Sequence, residues 1–224
     1  MAASSSAFVL LLLVSSCCCF NVNAAEPKGD AAASAGDSDD DVVARLCASV
    51  TSDFCHMHLT KKYCVSTLQL DTRSARARDA RDLALVAMDL ARGGAAAADA
   101  KVAGVLLERK SISEEAARTL RYCRTDYAAV ARLAPLCRDM IEEYRPGGGA
   151  MRKYHTLGCV NKMIRAAKNC GHVSLFEEEF GEALQKEFID VARRTALVKA
   201  MVEETIDMKD AEGFDSEFDN IVPI

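Results

Sequence analysis

Apolar residues recur every three or four positions from Val42 to Val202, and no stretch after residue 24 alternates convincingly with period two. That spacing is the one-face signature of amphipathic helices. Val42, Val43, Leu46, Val50 and Phe54 mark a first helix, and a short hairpin with Cys55 and Cys64 at its ends follows. Leu83, Val86, Ala87, Leu90, Ala97, Val102, Val105 and Leu106 form the stripe of a long helix over 79–109. Gly93-Gly94 inside it costs roughly 1 kcal/mol per glycine against alanine and predicts a kink. Ser111 and Glu114 have the spacing of a capping box and open the next helix. Its stripe is Ala117, Leu120, Cys123, Tyr127, Val130, Ala134, Cys137, Ile141 and Tyr144, with a kink expected at Pro135. Pro146-Gly147-Gly148-Gly149 stops it. A further helix over 152–169 turns Leu157, Val160, Ile164 and Ala167 inward and ends at Gly171. Ser174 and Glu177 make a second capping box before Phe176, Phe180, Leu184, Phe188, Val191, Val198 and Val202. The predicted fold is all-α: an antiparallel four-helix bundle preceded by a small N-terminal helical hairpin.

The two ends of the chain have a different texture. Phe8 to Val14 is an apolar run far shorter than the roughly 20 residues a membrane helix needs. A polar stretch ending Val22-Asn23-Ala24 follows it, with small residues at the positions a signal peptidase reads, so residues 1–24 read as a signal peptide, although no Lys or Arg precedes the run. Residues 25–41 are small, polar and acidic and read as a disordered lead-in; residues 209–224 read as an acidic tail. The helical domain is expected over 42–208, on a protein secreted to the extracellular space, with the vacuole as an alternative destination. The formal net charge of −5 argues against nucleic acid as a partner, because phosphate binding needs clustered excess positive charge.

Export makes the cysteines candidate staples. Of ten, three lie in the leader, leaving Cys47, Cys55, Cys64, Cys123, Cys137, Cys159 and Cys170, an odd count. At about 100° per residue, Cys123 and Cys137 share a helix face, and so do Cys159 and Cys170. The Pro-Gly-Gly-Gly turn sets their helices antiparallel, so nested bridges Cys137–Cys159 and Cys123–Cys170 fit one hairpin. Cys55 and Cys64 are well spaced to staple the N-terminal hairpin, which leaves Cys47 over; Cys47–Cys64 with Cys55 free is the alternative.

With these residues in view, the chain resembles the plant invertase inhibitor and pectin methylesterase inhibitor family. The resemblance rests on Cys55, YCVSTL at 63–68, DTRSARARDARDLAL at 71–85, LRYCRTDYAAV at 120–130 and RAAKNC at 165–170. It implies a disulfide-stapled four-helix bundle with Cys55 paired to Cys64 and Cys123 to Cys170. It also implies an inhibitor rather than an enzyme, one that occludes the active site of a protein partner, a pectin methylesterase or an invertase, stoichiometrically and without cofactor. Cys47, Cys137 and Cys159 are additional to the family's four. Some invertase inhibitors carry a Pro-Lys-Phe motif that enters the invertase active site. The matching stretch here has Arg152-Lys153-Tyr154 and lacks the proline.

Arg152, Lys153, Tyr154 and His155 follow the glycine-rich turn and are the candidate partner-binding residues; positive charge at a helix start opposes the helix dipole, as a group kept for contact would. Arg73, Arg76, Arg78 and Arg81 interleave with Asp71, Asp79 and Asp82 and read as a self-paired, solvated helix entrance. His56 and His58 beside Cys55 and Cys64 could be drawn as a zinc site. In an oxidising compartment the thiols bridge first, and the histidines lack i, i+4 spacing, so no metal is expected. No nucleophile elbow, zinc-protease helix, phosphate loop or dinucleotide fingerprint occurs. The rival readings are a disulfide-stapled helical lipid carrier and a member of the same fold that has lost inhibition.

Overall fold

The computed structural model describes residues 42–51, 59–108, 112–145, 150–174 and 181–206. The expected leader, lead-in and acidic tail lie outside them. Within them the chain forms six helices: α1 (Val42–Val50), α2 (Lys61–Leu68), α3 (Ala80–Glu108), α4 (Glu114–Glu143), α5 (Ala150–Ser174) and α6 (Gly181–Ile206). No described helix is long and apolar enough to cross a membrane.

The four long helices pack in a ring, α3 on α4, α4 on α5, α5 on α6 and α6 back on α3. Cross-links fix their directions. Between α3 and α4, Arg124 pairs with Asp99 at 2.8 Å and Arg138 with Asp89 at 2.9 Å, so numbering rises along one helix as it falls along the other. Lys101–Glu187 and the donation from Arg194 Nη1 to the Leu90 carbonyl at 3.3 Å do the same for α3 and α6. Neighbours in the ring are thus antiparallel.

The stripe predicted for α4 is buried throughout, from Ala117 to Tyr144, and Leu157, Val160, Ile164 and Ala167 of α5 face inward as expected. The α3 stripe needs correction within its alanine run. Ala91, Gly94, Ala95 and Ala98 are buried and Ala97 is exposed. Alanines carry too little contrast to show their own face; the inward face is set by α6, whose Arg194 side chain lies across Gly94. A Cβ at Gly94 would meet Arg194 Cδ at 3.0 Å. The helix continues through Gly93-Gly94, and α4 likewise runs on through Pro135.

Other boundaries differ for local reasons. Ser113, not Ser111, caps α4, its hydroxyl accepting from the Ala116 N–H at 3.2 Å. Gly171 does not end α5, which continues to Ser174. A Cβ there would come within 3.7 Å of Ala192 Cβ and 3.9 Å of the Phe188 carbonyl. Gly171 therefore serves the close approach of α6. Ser174 is the last residue of α5; the rest of the second capping box, with Phe176, Glu177 and Phe180, lies outside the described residues.

The N-terminal hairpin of α1 and α2 packs against α6 and α3. Tyr63 donates to Asp190 Oδ1 at 2.9 Å and Ser49 donates to Glu204 at 3.3 Å. Here the expected pairing of Cys55 with Cys64 is overturned, because Cys64 is bonded to Cys47 across 5.7 Å between Cα atoms. Val43, Cys47 and Val50 form the buried face of α1, which aims Cys47 at α2. The other bridges are Cys123–Cys170 and Cys137–Cys159, the nested pair that the spacing predicts. Cys55 lies outside the described residues and is, by count, the cysteine left over. Non-reducing peptide mapping should recover Cys47 linked to Cys64 and an alkylatable Cys55; a Cys55–Cys64 peptide would overturn this arrangement.

Candidate functional site

Arg152, Lys153, Tyr154 and His155 lie in the first turns of α5. Arg152 and His155 are exposed; Lys153 and Tyr154 are half-buried. Directly beneath them the helix is anchored. The buried Thr156 hydroxyl donates to the Arg152 carbonyl at 3.0 Å, Leu157 is in the core, and Cys159 is bonded to Cys137 of α4. A disulfide four residues beyond His155 holds the cluster on a fixed support, which lowers the ordering cost of any contact it makes.

The same end of the bundle collects the termini of its neighbours. The Tyr144 hydroxyl donates to the Ile206 carbonyl at 3.5 Å, tying the end of α4 to the end of α6. Arg145 donates to the carbonyls of Glu142 at 2.8 Å and Tyr144 at 2.9 Å, and Arg81 also donates to the Tyr144 carbonyl. Two guanidinium groups thus satisfy free carbonyls at the negative end of the α4 dipole. Arg81 is spent on this cap.

Arg73 and Arg78 of the same segment are also committed to structure, whereas Arg76 is exposed and makes no ion pair among the described residues. Asp71 caps a 3-10 helix over Thr72–Arg76, accepting from the Arg73 N–H at 2.9 Å. Arg73 forks onto Asp71 at 2.7 Å and reaches Asp89 of α3 at 2.8 Å. Hydrogen bonds from Arg73 hold the Asp71 carboxyl below its usual range, and Asp71 and Asp89 in turn raise the Arg73 guanidinium. Buried Ser74 donates to the Leu68 carbonyl at 2.7 Å, finishing α2. Arg138 completes the chain, bridging Asp89 and Glu142 at 2.9 Å each. Arg78 pairs with Asp82 at 3.3 Å. The D-x-R-S element is therefore a joint between the hairpin and the bundle.

The L-x-x-C-x-x-x-Y element is equally architectural. Leu120 is in the core, Cys123 is bridged, and Tyr127 donates to Cys170 Sγ at 3.2 Å with its ring 6.0 Å from that of Phe188. Burial pushes the Tyr127 phenol well above its ordinary range.

At the opposite end of the α4–α5 pair is a cleft of about 370 Å³ lined by Thr119, Tyr122, Cys123, Thr125, Asp126, Asn169 and Cys170. Burial raises the Asp126 carboxyl, opposed by a hydrogen bond from Asn169. The periodicity did not point to this cleft, because Asp126 sits one place from the buried stripe and reads as solvated. His56 and His58 lie outside the described residues. Among the described residues no three His, Cys, Asp or Glu side chains gather to hold a metal, and Cys64, one of the imagined ligands, is in a disulfide.

A family model described as plant invertase/pectin methylesterase inhibitor matches residues 41–170. The match runs through α1 and ends at Cys170, within α5; α6 lies beyond it. No curated protein matches the chain.

Proposed function

Because the chain belongs to the plant invertase/pectin methylesterase inhibitor family, whose members are inhibitors rather than enzymes, we propose that it is a secreted inhibitor of a pectin methylesterase or an invertase. It acts by stoichiometric occlusion of the target's active site, and it needs no cofactor. The observation that carries this reading is the cationic turn Arg152-Lys153-Tyr154-His155, presented at one end of the bundle on a helix pinned by Cys137–Cys159. The replacement of the Pro-Lys-Phe turn by Arg152-Lys153-Tyr154 favours pectin methylesterase as the first target to assay.

The test is a titration of each enzyme with the purified protein, expected to abolish one activity at a one-to-one ratio. Lys153→Ala should weaken that inhibition roughly tenfold or more, since truncating a buried interfacial charge costs about 2–5 kcal/mol and 1.4 kcal/mol is one decade. An unchanged thermal midpoint would separate this from unfolding. Equal potency of Lys153→Ala and wild type would move the contact surface elsewhere on the bundle. Inhibition of neither enzyme would favour the reading that inhibition has been lost. The peptide map that identifies the Cys47–Cys64 link also reads the mature N-terminus, expected within a few residues of Ala25 if the chain is exported.

A further inference from the structure

The charges of α5 are unlike those of the other long helices. Across Ala150–Ser174 it carries Arg152, Lys153, Lys162, Arg165 and Lys168 and no Asp or Glu. Elsewhere acids stand among the cations, and Arg73, Arg78, Lys101, Arg121, Arg124, Arg138, Arg194 and Lys199 each meet a carboxylate. Others, such as Lys61, Lys62 and Arg118, make no ion pair among the described residues, so the absence of any acid is what sets α5 apart. Lys162, Arg165 and Lys168 make no ion pair among the described residues. They share one outward face, Lys162 and Arg165 exposed and Lys168 half-buried, with His155, Gly158, Asn161 and Asn169 beside them. At 1.5 Å per residue the row from His155 to Lys168 is about 20 Å long. A Cβ at Gly158 would meet nothing within 4 Å, so the row is low in its middle.

We infer that this face binds a linear polyanion, specifically an acidic polysaccharide bearing a carboxylate on successive sugars. Four features select that occupant. Three cations in steps of three residues present a positive group about every 4.5 Å of axis along a ridge slanting around the helix, which suits a string of carboxylates better than a single one. Asn161 adds an amide donor and acceptor fit for sugar hydroxyls, while Asn169 is hydrogen-bonded to Asp126. Among its described residues α5 itself exposes no aromatic or aliphatic anchor of the kind on which protein interfaces and membrane insertion depend, although Tyr122 of α4 is exposed beside Asn169 at its margin. The chain's net charge of −5 repels polyanions from the remaining surface and confines them to this one. The choice of polymer rests on the reading above, since hydrolysis of pectin methyl esters leaves such a carboxylate string, whereas the esterified polymer is neutral. An inhibitor holding the de-esterified product would be retained where its target has already worked.

The experiment measures the full-length secreted protein on immobilised de-esterified polygalacturonate, with no enzyme present, so its failure leaves the inhibition reading standing. Binding at low salt is expected, with loss at roughly 0.5 M salt, where screening extends only a few ångströms. Little binding to the fully methyl-esterified polymer is expected. The triple variant Lys162→Gln, Arg165→Gln, Lys168→Gln should bind roughly tenfold or more weakly, the scale for three lost near-surface charge contacts. A control variant, Lys61→Gln, Lys62→Gln, Arg118→Gln, removes the same charge elsewhere and should bind as wild type does. Thermal unfolding of both variants checks the fold. No binding by wild type at low salt, equal binding to the esterified polymer, or equal losses in the two variants would each overturn the inference.

Discussion

Replacing Phe188 by alanine should destabilise the bundle by about 3–5 kcal/mol, the range for emptying an aromatic site in a closed core. Phe188 is fully buried on α6, its ring tilted 39° to that of Tyr127 on α4 at 6.0 Å, and its carbonyl lies beside Gly171 of α5. The side chain thus fills the centre of the ring of helices, where no single neighbour can collapse into the space. Its loss removes burial and leaves a cavity, so both costs of a large-to-small change apply. At about 2–4 °C per kcal/mol for a domain of this size, the thermal midpoint should fall by roughly ten degrees. Phe188→Leu should lie between wild type and Phe188→Ala. A loss below about 1 kcal/mol in denaturant titration would mean that α6 is not seated as described.

The second large effect is expected from the outer staple. Cys123→Ser with Cys170→Ser should cost about 3–4 kcal/mol on the chain-entropy account. The bridge spans 47 residues, but Cys137–Cys159 already closes 22 of them, so the loop it newly restricts is shorter than the sequence separation implies. Equilibrium unfolding in urea, comparing wild type with the double variant under oxidising conditions, measures it. The two should converge under reducing conditions that open all three bridges. A loss below 1 kcal/mol in the oxidised comparison would show that the inner bridge already supplies the constraint.

Most of this architecture is legible in the residues. The stripe from Ala117 to Tyr144 faces inward as its period predicts, because Leu, Val, Ile and Tyr contrast sharply with the Arg and Asp between them. The alanine run of α3 is not legible in the same way, since Ala91 and Ala97 look alike until α6 chooses between them. Gly171 reads as a helix end in sequence and is a close approach in space; only the position of Ala192 decides. Sequence spacing leaves both Cys55 and Cys47 open as the partner of Cys64, and the seating of Cys47 with Val43 and Val50 on the buried face of α1 decides between them. The site divides along the same line. Arg152 to His155 could be picked out by the preceding glycines, whereas the unpaired state of Lys162, Arg165 and Lys168 depends on which acids the other helices place elsewhere.

The nested bridges also set an order of assembly. Loop closure costs less for short spans, so Cys137–Cys159 should form first, in a hairpin whose two helices adjoin in sequence. Once it has formed, it holds Cys123 and Cys170 in register on the same two helices, and oxidation runs outward from the turn like a zip. The N-terminal staple enjoys no such guidance. Cys55 lies between Cys47 and Cys64 and is closer to each in sequence than they are to one another, so local collision favours the wrong partner. Scrambled material made in vitro should therefore concentrate its errors among these three residues while the α4–α5 pair is already correct. Correction there depends on α1 turning Cys47 onto its buried face beside Val43 and Val50, so disulfide proofreading waits for the hairpin to dock on α6.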